Sequence, residues 1–206
     1  MLCVGVDLAG SENRNTGFCS MTGKMYVKTR LIKSNNDLLE NIRLSKPDLV
    51  SIDAPLSLPR GRISLEKKGP PHLRECDREL IRLGIRFLPL TLGPMRMLTA
   101  RGMRLKDVLV NEHVKVIECY PGAAQDILGI PRKTQSIPML QDKLLGLGIK
   151  GDIQARNLTH DELDAITAAL VGIMYLKGEC IAIGNADEGQ IIIPDPKKIS
   201  KFRNVD

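Results

Sequence analysis

The stretch Leu2–Gly10, LCVGVDLAG, decides the fold that the sequence predicts. Its continuous apolar run is typical of a strand buried on both faces. Asp7 follows where the strand leaves the core, and Ala9-Gly10 allow the backbone to turn tightly. A carboxylate in this position is costly unless it is hydrogen-bonded, paired or bound to a metal. Asp7 therefore needs partners from elsewhere in the chain.

The segments that follow predict an α/β fold with a mixed sheet, in which a meander of three antiparallel strands leads into parallel strands through helical crossovers. After the first strand, the predicted strands are Gly17–Met21, Met25–Ile32, Asp48–Ala54 and Val114–Tyr120, with a C-terminal hairpin of Glu179–Ile183 and Gln190–Ile193. The predicted helices are Asn35–Ser45, His72–Phe87, Ala123–Leu128, Met139–Leu147 and Thr159–Lys177. We expect one domain over residues 1–195, with an insertion at about 56–110 and a basic tail at 196–206.

Composition favours a cytoplasmic protein with an anionic partner. The chain has 206 residues and a formal net charge of +6, which is compatible with nucleic-acid binding. Its five cysteines are widely spaced and include no CxxC pair, which argues against both a disulfide framework and a zinc site. The longest apolar run is too short to span a bilayer, so no membrane association is expected.

The segment Leu56–Arg104 is strongly basic and rich in Pro and Gly. It carries eleven Lys and Arg residues against four Asp and Glu residues. On its predicted helix, Arg74, Arg78 and Arg82 recur every four residues and form a stripe. This stripe can hold a nucleic-acid phosphate, or it can be a solvated face that pairs with nearby glutamates.

Five acidic residues form the candidate site. Asp7, Asp53 and Glu118 end three predicted strands, and parallel neighbours would bring all three to the carboxyl edge of the sheet, where open α/β sheets place their sites. Asp161 and Asp164 lie three residues apart on the predicted last helix, so both can point at one spot.

Carboxylates that converge repel one another unless a cation neutralises them, and Mg²⁺ or Mn²⁺ prefers such oxygen ligands. Two such ions would support a two-metal cleavage of phosphodiester bonds, with Asp7, Asp53, Glu118 and Asp164 as catalytic residues. Each acid also has an ordinary structural interpretation. Asp161 lies in the first turn of a helix, which favours acids, and Asp53 before Pro55 can cap a turn.

Several motifs together resemble a known family. The segments GVDLAG, SIDAPLS, RECDREL, IECYPG, HDELDAITAAL and GNADEGQIIIP are similar to the family called "domain of unknown function 429", whose members are predicted RNase H-fold nucleases. The resemblance implies an RNase H-like five-stranded sheet of order 3-2-1-4-5, flanked by helices.

The acid layout also resembles that of RuvC-type resolvases, which implies that Asp7, Asp53, Asp161 and Asp164 are metal ligands. Glu118 and the set Arg74, Asp77 and Arg78 match motifs of the domain family and have no clear counterpart among the resolvases.

Two other functions stay open at this stage. The chain could be an ATP-dependent phosphotransferase of the actin and sugar-kinase superfamily, because GVDLAG resembles the first phosphate loop of that superfamily. It could also be a non-catalytic module that has kept the fold and binds nucleic acid. Low aromatic content argues against single-strand binding by base stacking, so structured or duplex nucleic acid is the expected partner. The sequence does not indicate an oligomeric state.

Overall fold

The computed structural model describes residues 1–199, which form one eight-stranded sheet with helices on both faces. The strands are β1 (Leu2–Asp7), β2 (Thr16–Thr22), β3 (Tyr26–Ile32), β4 (Leu49–Asp53), β5 (Val116–Cys119), β6 (Lys150–Gly151), β7 (Cys180–Ile183) and β8 (Ile191–Pro194). Their order across the sheet is β6-β3-β2-β1-β4-β5-β8-β7.

The predicted RNase H-like order 3-2-1-4-5 is confirmed at the centre of this sheet. β1 pairs antiparallel with β2 and parallel with β4, and β5 continues the parallel set. All of the residues from Cys3 to Val6 are buried, as expected for a strand covered on both faces. β1 therefore joins the meander to the parallel half of the sheet.

The C-terminal hairpin belongs to the same sheet. β7 and β8 are antiparallel, and β8 pairs in parallel with β5. At the opposite edge, the short β6 pairs with β3. The predicted five strands are thus extended on both sides, and on the β5 side the added strand β8 buries Ile191 and Ile193.

Seven helices of the described residues cover the two faces. They are α1 (Asn35–Ser45), α2 (Glu75–Arg82), α3 (Gly93–Asn111), α4 (Pro121–Leu128), α5 (Ile137–Gly146), α6 (Asp152–Ala155) and α7 (His160–Leu176). α7 is buried continuously from Glu162 to Met174 and provides much of one core. Its predicted start is confirmed, since Thr159 and Glu162 form a capping box.

The basic segment is more strongly helical than predicted. The helix expected over His72–Phe87 is shorter, and the sequence reading missed α3. Pro94 lies in the first turn of α3, where its missing N–H costs nothing. Leu105 and Leu109 then pack with β1 and β4 residues in the second core cluster, so the end of this segment supports the sheet.

The first residues assigned to the predicted basic tail contact the rest of the domain. Ile199 is buried in the first core cluster, and the Lys198 ammonium donates to the Gly178 carbonyl at 2.7 Å. The chain from residue 196 to 199 therefore packs against the domain. Residues 200–206 lie outside the described part.

Small residues let α7 approach the sheet closely. A Cβ added to Gly5 would lie 2.2 Å from the Ala165 carbonyl oxygen, and one on Gly17 would lie 1.9 Å from that of Asp161. Real contacts of this kind do not occur, so a side chain at either position would push the helix away. Gly5 and Gly17 thus set the height of α7 above β1 and β2.

We predict that Gly5→Ala destabilises the protein, because neither the helix backbone nor the strand backbone can yield without disturbing the core. The expected loss is about 1–3 kcal/mol or more, typical of an overpacked core. Urea denaturation measures it.

The matched control is Gly146→Ala at the end of α5, where an added Cβ meets nothing within 4 Å. It should leave the free energy of unfolding unchanged or slightly raised. Equal stability of the two variants would contradict the close-packing explanation.

Candidate functional site

The site begins with two aspartates that end adjacent parallel strands. Asp7 on β1 and Asp53 on β4 are direct register partners, so their side chains leave the same face at the carboxyl edge. This edge and this pairing agree with the expected convergence of these two residues.

α7 brings further donors to the same edge. One ligand atom from each of Asp7, His160 and Asp161 lies within 4.8 Å of the others, a group that could hold a metal ion. His160 is half exposed, and its Nδ1 lies 2.9 Å from an oxygen of Asp161. Asp164 lies one turn further along the helix and is 5% exposed.

Lys133, from the loop between α4 and α5, reaches into the acid cluster. Its Nζ lies 2.8 Å from Asp164 Oδ2 and 4.0 Å from Asp7 Oδ2. Gln125 on α4 donates from Nε2 to Asp164 Oδ1 at 2.8 Å. Asp164 is therefore held on one oxygen by an amide and on the other by a partly exposed ammonium.

The electrostatics reflect crowded carboxylates in a buried setting. Burial, followed by the repulsion from Asp164, raises the pKa of Asp7 to about 7. Burial and the nearby Asp7 charge raise the pKa of Asp53 well above its ordinary value. Burial alone would lower the pKa of Lys133, but the Asp164 and Asp7 charges outweigh it and raise that pKa.

The donor set suits a hard divalent cation. Asp7, Asp53, Asp161 and Asp164 present oxygens at one edge, and oxygen donors are what Mg²⁺ and Mn²⁺ prefer. Burial and mutual repulsion raise the pKa values of Asp7 and Asp53 although Lys133 is close, so a divalent cation would stabilise the ionised carboxylates further. His160 adds a nitrogen donor, which Mn²⁺ accepts more readily than Mg²⁺ does.

Glu118 lies apart from this cluster. It is level with Ile52 on β4, so its side chain leaves the sheet on the face opposite to that of Asp53. There it accepts two hydrogen bonds from the Arg74 guanidinium, each 2.7 Å long, and one from the Leu56 N–H. Glu118 thus lines the same cavity as Asp7 and Asp53, but its oxygens bond to Arg74 and to the Leu56 N–H instead of joining the metal-type donors.

The three arginines of the predicted stripe also separate. Arg74 is 1% exposed and pairs with both Asp77 and Glu118. Arg78 and Arg82 are exposed and pair with Glu75. Two phosphate-binding candidates thus lie on the outer face of α2, whereas Arg74 is a buried part of the framework.

Two more arginines of the basic segment are internal. Arg62 donates to four backbone carbonyls of the 64–71 loop. Arg101 on α3 donates to the carbonyls of Ala9, Ser11 and Lys33, and so holds the loop that follows Asp7. The charge count of this segment overstates the positive charge available to a ligand.

A cavity of about 260 Å³ opens beside Asp7 and Asp53. Arg74, Glu118 and Lys133 also line it. Most of the lining from α2, the following loop and the start of α3 is apolar: Leu80, Phe87, Leu88, Leu90, Met95 and Leu98. The acid pair therefore borders a pocket that is partly apolar, and not a uniformly basic groove.

The sequence reading missed Lys133, Gln125 and Arg101 as site residues. Lys133 lies in a loop between two prolines, where no hydrophobic periodicity indicates the direction of its side chain. Gln125 follows the IECYPG motif, and its inward position depends on where α4 meets α7. Arg101 was counted with the basic segment, and only its burial distinguishes it from the exposed arginines.

The chain is similar to solved structures but matches no family model. No protein-family model matches the chain, and no curated protein does, so membership of the domain family stays a prediction. Among solved structures, Thermus thermophilus RuvC in complex with a Holliday junction substrate is 13% identical, with a TM-score of 0.47. A second Thermus thermophilus RuvC structure is 14% identical, with a TM-score of 0.45. Each match covers 86% of this chain and 97% of the other.

We predict that Arg74→Met strongly destabilises the protein, because it leaves the buried carboxylates of Asp77 and Glu118 without their cation. Breaking a buried pair in this way costs about 3–5 kcal/mol. Chemical denaturation measures the change. The matched control is Arg82→Met on the same helix, which removes an exposed pair and should change stability little. A small loss for Arg74→Met would show that the buried ion cluster is not structurally important.

We predict that Asp7→Asn stabilises the metal-free protein increasingly as the pH rises. The pKa of Asp7 rises from 3.8 to about 7 on folding, so between these values the folded state binds more protons than the unfolded state. The contribution of Asp7 to the free energy of unfolding is therefore most favourable at low pH and is lost as the pH rises through about 7.

Thermal melts in EDTA between pH 4 and 8 measure the difference between Asp7→Asn and the unmodified protein. Asp142→Asn, an exposed position on α5, is the control and should show no such pH-dependent gain. A difference for Asp7→Asn that does not vary with pH would contradict the assigned repulsion.

Proposed function

We propose that this protein is a divalent-metal-dependent nuclease that cleaves phosphodiester bonds of nucleic acid. The observation that carries the proposal is the convergence of Asp7 and Asp53 with two aspartates of α7 at one sheet edge. Burial, together with the mutual repulsion of the carboxylates, disfavours their ionised forms, and a bound divalent cation would offset both effects. Such a site is better explained by function than by folding.

In this proposal Asp7, Asp53, Asp161 and Asp164 hold Mg²⁺ or Mn²⁺. The bound metal would supply an activated water and would stabilise the charge on the phosphate and the leaving oxygen. The aspartates orient the metal through oxygens that the sheet and α7 fix in place. Gln125 restricts Asp164 further by donating to the oxygen that faces away from Lys133.

Lys133 adds a cation to the same edge. Its side chain is 39% exposed, so it can retain a link to Asp164 while its ammonium remains accessible to a phosphate oxygen. A lysine placed beside the carboxylates offsets part of their repulsion toward an anionic substrate. We therefore include Lys133 among the substrate-binding residues, beside the exposed Arg78 and Arg82.

Glu118 and Arg74 have a positioning role in this proposal. Their ion pair, with Asp77, fixes α2 against the end of β5 and so shapes one side of the cavity. We do not assign Glu118 as a metal ligand, because its two oxygens are directed to Arg74 and to the Leu56 N–H.

The phosphotransfer alternative gains no separate support. In the loop after Asp7, the Ala9 N–H donates to Thr16 Oγ1, and the Arg101 guanidinium fills the inner side of the loop. This N–H is therefore not free to bind a nucleotide phosphate. Calorimetry with ATP and Mg²⁺ should show no binding, and a clear heat of binding would favour the kinase-like function.

We predict that Asp164→Asn lowers Mg²⁺-dependent cleavage by at least about 10²-fold, because the site loses a charge that positions the metal. Cleavage of labelled DNA and RNA hairpins, compared with and without EDTA, measures it.

Asp142→Asn is the matched control on the protein surface and should retain full activity. A thermal melt of Asp164→Asn verifies folding. Cleavage that survives Asp164→Asn, or that persists in EDTA, would exclude the proposed mechanism. Binding without any cleavage would favour the non-catalytic module.

A further inference from the structure

We propose that the cavity beside Asp7 and Asp53 receives one unpaired nucleotide, with its base against the apolar lining from α2 to α3. This inference rests on the proposed nuclease function and specifies its substrate. It assigns to the α2–α3 segment a role in admitting a single nucleotide, and it revises the sequence-based expectation that the segment mainly holds phosphates.

The first support is the position of the cavity. One continuous lining contains the acid pair Asp7 and Asp53 and also apolar side chains such as Leu88 and Leu98. A phosphate held at the acid pair would therefore place its attached nucleoside beside these apolar groups. Apolar contact with a base face is energetically useful, whereas apolar contact with a phosphate is not.

The second support is size. The cavity of about 260 Å³ is slightly below the roughly 300–1,000 Å³ of pockets for drug-sized ligands. It can admit a nucleotide unit, but not a base pair with both of its strands. A duplex could reach the acids only by releasing a nucleotide from its stack, as enzymes that act on a single base require.

The third support concerns the kind of contact that is available. Polar side chains beside the apolar lining already have protein partners, as when the Tyr120 hydroxyl donates to the Arg86 carbonyl. The Arg74 guanidinium likewise donates to both Asp77 and Glu118. These groups are thus engaged with the protein, so the contact with the base should come from the apolar lining and should depend little on the identity of the base.

Leu88 offers a direct way to test the base contact. It lines the cavity, yet 62% of it is exposed, so its removal should leave the fold intact. Ile81 on the adjacent α2 is 55% exposed and does not line the cavity, which makes Ile81→Ala the matched control.

The test uses labelled hairpins, in DNA and in RNA, that carry one unpaired nucleotide, and otherwise identical hairpins with an abasic residue at that position. Fluorescence anisotropy with Mg²⁺ measures binding to the Asp164→Asn variant, for which the proposed function predicts no turnover. We expect the base-containing hairpin to bind about tenfold more tightly, as base contacts with side chains usually provide. Adding Leu88→Ala should reduce this ratio toward one, and adding Ile81→Ala should preserve it.

Equal binding of the abasic and base-containing hairpins, in both DNA and RNA, would overturn the inference. So would a ratio that Leu88→Ala and Ile81→Ala reduce equally. Neither result concerns Mg²⁺-dependent cleavage, which the unmodified protein would still show if the nuclease proposal is correct. If the unmodified protein cleaves none of the hairpins but the base-dependent binding is present, the nucleotide pocket stands and the nuclease proposal fails.

Discussion

The packing of α7 on β1 and β2 is the constraint on which the site depends. Gly5 and Gly17 let the helix backbone touch the strands, and this contact fixes where the first turn of α7 lies. Asp161 and Asp164 belong to that part of the helix. They can approach Asp7 only because two strand positions carry no side chain. The same close contact that builds the core therefore also sets the spacing of the carboxylates.

That spacing has an energetic consequence. Folding brings Asp7, Asp53 and Asp164 together in a setting that disfavours charge, and the raised pKa values of Asp7 and Asp53 record the cost. The buried α7 offsets it, since the helix packs its apolar residues from Leu163 to Met174 almost completely. A stable core thus supports a locally unfavourable arrangement, which is the usual relation between a scaffold and a functional site.

Much of the fold could be predicted because its signals are local. The apolar run at Leu2–Gly10, the Thr159–Glu162 capping box and the glycine and proline turns each mark an element by themselves. The convergence of Asp7 and Asp53 followed from the parallel pairing of their strands. The sequence could not show that the Glu118 side chain leaves the sheet on the opposite face, because a shift of one residue in strand register reverses the side on which a side chain lies.

The contacts that each side chain of the site makes with residues distant in sequence could not be predicted. Arg74 and Arg78 have the same residue type and the same helical spacing, but one is buried against Glu118 and the other is exposed beside Glu75. Charge counting along the sequence treats them as equal. Only the position of α2 against the end of β5 separates the framework arginine from the one that a ligand can reach.

The two sets of acids at this edge differ in how they are neutralised. Glu118 and Asp77 share the fully buried Arg74, whose planar guanidinium satisfies both and leaves no place for another cation. Asp7 and Asp164 share Lys133, whose partly exposed ammonium approaches one oxygen of each. A fixed guanidinium suits a structural junction, whereas a flexible, partly exposed ammonium can yield to a metal ion. The type of cation at each set therefore argues that the first stabilises the fold and that the second is where chemistry can occur.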